Sequence, residues 1–317
     1  MSTLYRLRFL DLSIAFWVTL ALNGLAAGCA GDGPTGLPDA SRDRIVFSSQ
    51  AAGNLDIYVV DRDGSNLVQL TAAPSNEAAP APSPDGSRIA FVSEATGRFQ
   101  LYVMNADGSG VTQLTGVTGT EVDDPQWPSW SPDGQRILFT SYRFTVPELF
   151  AVNPDGSGAV NLTNSSAQDI QGTWSPSGNQ IALVREVGSP SLPHIFLMDA
   201  NGGNVRQLTS GDFYDYSPSW SPDSRQIVFS RMPLAGGASQ IVSVSPAGTG
   251  LHPISDDQAS YGEPRWSRDG KALLFTSTQG GSGGATEIWI QPTGSPAANV
   301  TQTPSIFDLS PRWLPVP

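Results

Sequence analysis

A pattern that recurs six times between Arg44 and Pro317 constrains the fold of this chain more than any other feature. Each copy holds two apolar alternating segments, a turn pair such as Asp63-Gly64, a short segment ending in Leu-Thr or a variant, and Trp-Ser-Pro-Asp-Gly or a variant. The 274 residues (317 − 43) divide into about 46 per copy. Alternation with period two predicts half-buried strands, and Asp-Gly supplies the positive φ of tight hairpins. Each copy therefore predicts a small antiparallel sheet of four strands.

The six copies together predict one closed all-β domain. A single four-stranded sheet cannot bury both of its faces, whereas sheets stacked around an axis bury them and leave only short edges. We therefore predict a six-bladed β-propeller over residues 44–317; a β-solenoid is the alternative, but its repeats are usually shorter. The first copy lacks a preceding Trp segment, and residues 307–317 supply an unmatched one. The N- and C-terminal strands are therefore expected to pair and close the ring.

The charge balance and the cysteine count limit the classes of partner and site. Acidic residues outnumber basic ones 29 to 17, which gives a net charge of -12. Such a surface repels a phosphate backbone, so no nucleic-acid partner is expected. The one cysteine, Cys29, excludes an internal disulfide and a cysteine-built metal site.

The first 28 residues have the organisation of a signal peptide. Arg6 and Arg8 precede an apolar run from Ile14 to Leu25, which is too short to span a bilayer as a helix. The run ends in Ala-Ala-Gly before Cys29, which resembles the lipobox of bacterial lipoproteins, although the family prefers Leu where Ala26 stands. The resemblance implies a diacylglycerol on Cys29. An ordinary secretory signal with an incidental cysteine is the alternative.

Residues 29–43 are rich in glycine, proline and small polar side chains. This composition is typical of a flexible tether. We therefore expect a signal peptide over 1–28, a lipidated tether over 29–43 and the propeller over 44–317. The protein would then be extracytoplasmic and held on a membrane through lipid at Cys29, in the periplasm or on the outer membrane.

The repeat itself resembles that of a known family. Residues 128–139 (PSWSPDGQRILF) and 218–229 (PSWSPDSRQIVF) closely follow the TolB-type propeller repeat P-x-W-S-P-D-G-x-x-I-A-F, which continues to a later D-G and L-T. The resemblance implies six blades. The family includes periplasmic TolB, propellers of some serine peptidases and many cell-envelope proteins. TolB also carries a separate α/β domain with no counterpart in this sequence, so we expect a lipoprotein relative with its own partner.

The sequence offers little for catalysis. A Ser-His-Asp site needs a histidine base, and only His194 and His252 exist; we interpret both as partly exposed strand residues. The one G-x-S-x-G match, at 280–284, lies in a glycine-rich loop with no helix after it. No Walker loop is present. We therefore predict no catalytic residues, no metal site and no cofactor.

Carboxylates recur three residues before the proline of P-x-W. The six residues at this position are Glu77, Pro125, Asp169, Asp215, Tyr261 and Asp308, and Asp123 and Asp124 precede Pro125. If the Trp strand lies innermost, these acids surround one mouth of the central channel, where they would hold a cation or a Lys/Arg-bearing segment. The alternative is that they order their own loops through hydrogen bonds. Loop residue Trp127 is a further candidate for an exposed contact.

These features favour a non-catalytic, monomeric propeller that binds a protein or peptide partner, in assembly or integrity of the cell envelope. One alternative is a lyase or hydrolase that acts on saccharides in the channel. The other is a passive surface module without a specific ligand.

Overall fold

The computed structural model describes residues 43–116 and 124–315, which form 24 strands in six four-stranded antiparallel sheets. The sheets follow the six sequence copies, so the predicted all-β, six-bladed propeller is confirmed. Each sheet is one blade, and its innermost strand is the one that carries the Trp motif or its variant. Within the described ranges there is no helix with the length and apolar character needed to cross a membrane.

The strands fall into four sets by their place in the blade. The inner strands are β4 (Glu77–Pro82), β8 (Gln126–Trp130), β12 (Asp169–Trp174), β16 (Phe213–Trp220), β20 (Tyr261–Trp266) and β24 (Asp308–Pro315). The second strands are β1 (Asp43–Ser49), β5 (Arg88–Ser93), β9 (Ile137–Ser141), β13 (Gln180–Val187), β17 (Ile227–Pro233) and β21 (Ala272–Ser277). The third strands are β2 (Asp56–Asp61), β6 (Gln100–Asn105), β10 (Glu148–Val152), β14 (Leu192–Asp199), β18 (Gln240–Val244) and β22 (Glu287–Pro292). The outer strands are β3 (Val68–Gln69), β7 (Thr112–Gln113), β11 (Val160–Asn161), β15 (Arg206–Gln207), β19 (His252–Pro253) and β23 (Ala298–Asn299).

The ring closes where the two chain ends meet. Strand β24 pairs antiparallel with β1, and Trp313 lies opposite Ile45. The first blade therefore has the order β24-β1-β2-β3, as the unmatched C-terminal segment predicts. Each inner strand lies beside the next one around the axis, and β24 lies beside β4.

The repeated tryptophans pack between blades. Trp130 is buried in a cluster that joins Leu101 and Val103 of the second blade to Phe139 and Phe150 of the third. Its indole Nε1–H donates to the Ala81 carbonyl of the preceding inner strand at 2.9 Å. The same kind of cluster surrounds the repeated tryptophan of the other copies that have one. This regularity confirms blade packing as their role.

The Leu-Thr marker has a physical role as well. Its hydroxyl accepts a backbone N–H from the third strand, for example Ile57 N–H to Thr71 Oγ1 at 2.9 Å and Ile195 N–H to Thr209 Oγ1 at 2.9 Å. Because a buried donor without a partner is costly, a hydroxyl at this place stabilises the short outer strand against its neighbour.

The predicted signal peptide and most of the predicted tether, including Cys29, lie outside the described residues. Strand β1 begins at Asp43, one residue before the predicted domain boundary. The described propeller ends at Pro315.

Candidate functional site

Every inner strand contains a bulge that divides it into a start and an end. One residue in each strand has a left-handed backbone with φ between 49° and 55°, and the pairing register shifts there. These bulge residues are Ala79, Trp127, Gln171, Ser217, Glu263 and Ser310. Several of their N–H groups donate to the preceding blade, as from Ser217 N to Gln171 Oε1 at 2.8 Å and from Ser310 N to Glu263 Oε2 at 2.6 Å. The bulges thus tie neighbouring blades together at the channel.

The carboxylates at the strand starts are buried and do not form an exposed ring. Glu77 is 3 % exposed, Asp308 1 %, and both Asp169 and Asp215 0 %. The acidic ring predicted from the sequence needs these side chains at an accessible mouth of the channel, whereas all four are buried within the blades. The alternative, internal hydrogen bonding, is what these side chains show, because the inner and second strands of a blade place polar partners opposite them.

Two of these acids each bind an arginine, of which Arg231 is buried and Arg185 is partly buried. Arg185 donates from Nε and Nη2 to the two carboxylate oxygens of Asp169 at 2.6 and 2.8 Å, and Arg231 does the same to Asp215 at 2.7 and 2.8 Å. Strand register puts each arginine directly opposite its acid. Burial opposes the charge of Asp215, but the hydrogen bonds from Arg231 and His194 outweigh it and lower its pKa. These are compensated charges inside the fold.

The other two acids lack an arginine. Glu77 accepts from the Ser75 and Ser93 hydroxyls at 2.6 and 2.8 Å, and Asp308 accepts from Thr303. Burial raises the pKa of Glu77, and the charge of Asp56 adds to the effect. Burial likewise raises the pKa of Asp308. Both carboxyl groups therefore hold a proton to higher pH than an exposed acid does.

The remaining strand-start candidates are dispersed. Asp123 lies outside the described residues, and Asp124 lies just before β8 with a left-handed backbone. The Tyr261 hydroxyl donates to Asp256 at 2.6 Å.

The two histidines do not share a site. His194 is buried in β14, contrary to the expectation of partial exposure, with Nδ1 at 3.4 Å from Asp215 Oδ2. His252 is exposed on the outer strand β19. Among residues 43–116 and 124–315, no group of three His, Cys, Asp or Glu side chains is placed to hold a metal ion.

A cavity of about 230 Å³ occupies the other half of the channel, and the ends of all six inner strands line it. Its walls include the hydroxyl side chains of Ser129, Thr173 and Ser219. Trp127 also lies in the wall. It belongs to strand β8 rather than to a loop, and it is half-buried against the cluster between the fourth and fifth blades. Of the candidates named from sequence, Trp127 is the one that this channel cavity contains.

Two arginines that sequence reasoning missed lie in the same wall. Arg265 Nη1 donates to the carbonyls of Pro264 at 2.7 Å and Ser217 at 3.2 Å, and Arg312 Nη1 donates to that of Pro311 at 2.9 Å. Within the described residues, neither guanidinium has a carboxylate oxygen at ion-pair distance. We call these two residues the arginine pair. The signal was present in the sequence, because both occupy the variable place of P-x-W, where the other copies have Ala81, Ser129, Thr173 and Ser219.

The arginine pair shares a poorly solvated wall. Burial and the charge of Arg312 lower the pKa of Arg265, and burial lowers the pKa of Arg312 to about 10. The nearby charge of Glu263 acts in the opposite direction on both. Both guanidinium groups remain cationic at neutral pH, so the channel cavity carries two positive charges in a chain whose net charge is -12.

Comparisons with known proteins agree with this architecture. The TolB beta propeller domain family matches residues 29–127 and 79–256. A 44-residue stretch is 52% identical to the protein TolB homolog of Chlorobaculum tepidum, but this match spans 14% of the chain and only 10% of that relative.

Solved structures share the fold at low identity. TolB from Acinetobacter baumannii is 20% identical with a TM-score of 0.67, over 88% of this chain and 68% of that one. The oligogalacturonate lyase from Vibrio parahaemolyticus is 13% identical with a TM-score of 0.57, over 81% of this chain and 73% of that one. At these identities the likeness concerns the fold alone. The family match, which extends from residue 29 to residue 256, covers well over half of the sequence, and the chain therefore belongs to the TolB beta propeller domain family.

Proposed function

We propose that this protein is a non-catalytic, extracytoplasmic binding module whose channel cavity holds a segment of a partner protein, in assembly or integrity of the cell envelope. The observation that carries this proposal is the channel cavity itself. All six inner strands line it, and it combines a half-buried aromatic ring, Trp127, with hydroxyls and two cations. Concave sites of this kind, apolar in part and with a few convergent polar groups, are typical of ligand binding.

Membership of the TolB beta propeller domain family supports a binding role, as does the TolB homolog that matches part of the chain. We further propose that lipid on Cys29 anchors the propeller. Residues 29–42 would then be the tether, and these 14 residues (42 − 28) reach at most about 50 Å when extended. The propeller would work close to the membrane surface as a monomer.

The enzyme alternative draws on the fold it shares with oligogalacturonate lyase. The positions of the histidines favour binding instead. His194 is buried against Asp215, and His252 is exposed on an outer strand, so neither belongs to the channel cavity. A general base has to reach its substrate proton, and neither imidazole faces this cavity.

Filling the channel tests the proposal. Ser129 is half-buried in the cavity wall, whereas Ser295 is exposed in a turn, so Ser129→Trp and Ser295→Trp form a matched pair. Peptides selected from a random phage-displayed library on the wild-type protein should bind Ser295→Trp equally and Ser129→Trp at least tenfold more weakly, because the added ring occupies the cavity. Equal binding to both variants would show that the channel is not the site, and failure to select any peptide would contradict the proposal as a whole.

The anchor has its own test. Full-length protein expressed in a bacterium should fractionate with membranes and incorporate labelled palmitate, and Cys29→Ser should release it unlabelled, because the thiol is the proposed attachment atom. Membrane retention of Cys29→Ser would contradict the lipid anchor without affecting the proposed channel.

A further inference from the structure

We propose that the arginine pair, Arg265 and Arg312, is a carboxylate-binding subsite that receives an acidic side chain of the protein segment held in the channel cavity. This inference rests on the proposed function and adds the chemistry of the partner. It assigns to the partner an aspartate or glutamate that reaches the wall formed by β20 and β24.

The arginine pair differs from the other channel-side arginines in having no carboxylate partner. Arg185 and Arg231, which lie opposite the starts of the inner strands, each have a buried carboxylate that accepts two hydrogen bonds. The arginine pair has carbonyl acceptors for one nitrogen of each guanidinium and no carboxylate partner among the described residues. A guanidinium presents five donors in a planar fork that suits a carboxylate. Because both residues line the channel cavity, an anion held there could accept from their remaining donors.

The two arginines repel each other. The charge of Arg312 lowers the pKa of Arg265, so the two cations disfavour each other in the channel wall. One anion between them would remove that repulsion and gain charge-assisted hydrogen bonds from both.

The net charge around the arginine pair favours a carboxylate over a phosphate as the bound group. Glu263 is bound to Ser310, with Oε2 at 2.6 Å from the backbone N and Oε1 at 3.1 Å from Oγ. Its charge acts on both arginines. The two arginines and Glu263 together have a net charge of +2 − 1 = +1, so one carboxylate from the ligand makes the site neutral. A phosphate with about two negative charges would exceed that sum and face Glu263.

The prolines of the inner strands bear on the class of macromolecule that the channel suits. Five of the six inner strands place a proline after the bulge, where it offers no N–H to the channel: Pro80, Pro128, Pro218, Pro264 and Pro311. The carbonyls of this wall suit a ligand that brings its own donors, as the backbone of an extended protein segment does. Sugar hydroxyls donate as well, so the choice of a peptide over an acidic saccharide rests on the proposed function, and saccharide binding is an outcome of the test.

Two capped peptide libraries on beads provide the test. In one library every peptide has a central Glu, in the other a central Gln, and the flanking positions vary without acidic residues; capped ends leave the Glu as the only carboxylate. The intact protein, Arg265→Gln/Arg312→Gln and the exposed control Arg225→Gln/Arg268→Gln are compared on both. We expect the wild type and the control to retain the Glu library about tenfold more than the Gln library. The channel variant should retain the two equally.

Charge reversal sharpens the test. Arg265→Glu/Arg312→Glu should prefer a library with a central Lys, while thermal melting confirms that the variant is folded. Equal retention of Glu and Gln libraries by the wild type would overturn the subsite while leaving the channel as a peptide site. Retention of neither library would overturn the proposed function too. Equal loss of preference in the exposed control, or binding of oligogalacturonate in place of the Glu library, would also contradict the assignment.

Discussion

Charged side chains at the starts of the inner strands have different partners from those at the ends. At the starts, Asp169 and Asp215 are fully buried, and each is joined to an arginine by two hydrogen bonds. At the ends, Arg265 and Arg312 line a cavity, and no carboxylate of residues 43–116 or 124–315 lies at ion-pair distance from them. The bulge separates the two regions within a few residues. The same pair of residue types, acid and arginine, thus stabilises the fold in one region and leaves binding capacity in the other.

The difference teaches how to recognise a binding residue on a repeated scaffold. Arg185 and Arg231 each lie opposite an acid in the neighbouring strand of the same blade, so their charges belong to the blade. Arg265 and Arg312 stand where other copies have small residues and line the channel, so their charges change the channel and not the blade. Function on a shared fold resides in such local departures.

The largest loss of stability should come from deleting one whole inner strand, its start together with its end. Deleting residues 307–317 removes β24, which carries Asp308 and Arg312 and closes the ring on β1. Because the first blade would lose its inner strand, we expect loss of the cooperative thermal transition of the whole domain. Calorimetry measures this, with Arg312→Gln as the control that keeps the strand. A transition like that of the full chain would contradict closure.

A strand-start acid should have the next largest effect. Asp215→Ala leaves Arg231 buried without its partner, which should destabilise the protein by about 3–5 kcal/mol. Asp212 is exposed and three residues away, so Asp212→Ala should change the urea midpoint little. Equal midpoints for the two variants would remove the distinction between a compensated buried charge and a surface one.

The periodic parts of this account could be predicted from the sequence. Blade number, strand order, ring closure and the packing of tryptophans such as Trp130 follow from alternation and turn residues, which are local signals repeated six times. The channel site was predicted less well. Arg231 lies 16 residues after Asp215, and only the register between β16 and β17 brings them together.

The left-handed bulge in each inner strand was not predicted from the sequence either. None of the six bulge residues is a glycine, so no residue type indicated a left-handed backbone at Ala79 or Trp127. Without the bulge, the strand starts and the strand ends could not be assigned to different surroundings. The arginine pair was visible in the sequence as a departure within P-x-W, but its meaning required the channel.

The two acids without an arginine, Glu77 and Asp308, give stability a pH dependence opposite in sign to that of Asp215, because their pKa values are raised and that of Asp215 is lowered. The pKa of Glu77 is raised above 4.5 and that of Asp308 above 3.8. A raised pKa means that the folded state binds the proton more tightly than the unfolded state. The stability these groups contribute is therefore complete below their ordinary pKa and is lost as pH rises through the raised folded values.

Glu77→Gln checks this sign. The variant cannot ionise, so the difference in unfolding free energy between wild type and variant should shift towards the variant as the pH rises from acid to neutral. Urea denaturation at a series of pH values measures it. A difference that stays constant with pH would show that Glu77 titrates alike in the folded and unfolded states.

The smallest stability effect belongs to the channel. Arg265→Gln removes a cation that has no carboxylate partner among the described residues, and the new amide can still donate to a neighbouring carbonyl, so its unfolding free energy should stay close to that of the wild type. Arg231→Gln removes a cation that is paired with Asp215, and it should lower the unfolding free energy of the protein clearly more than Arg265→Gln does. Urea midpoints of the two variants, measured side by side, make the comparison. A larger loss for Arg265→Gln would assign the arginine pair to the fold.

The most direct measurement of the central claim crosses stability with binding in two double variants. Asp169→Asn/Asp215→Asn should lower the unfolding free energy, yet retain the preference for the Glu library at a temperature where it is folded. Arg265→Gln/Arg312→Gln should keep the unfolding free energy and lose the preference. If the asparagine variant instead lost binding while the glutamine variant kept it, the strand starts would be the binding site and this account would be wrong.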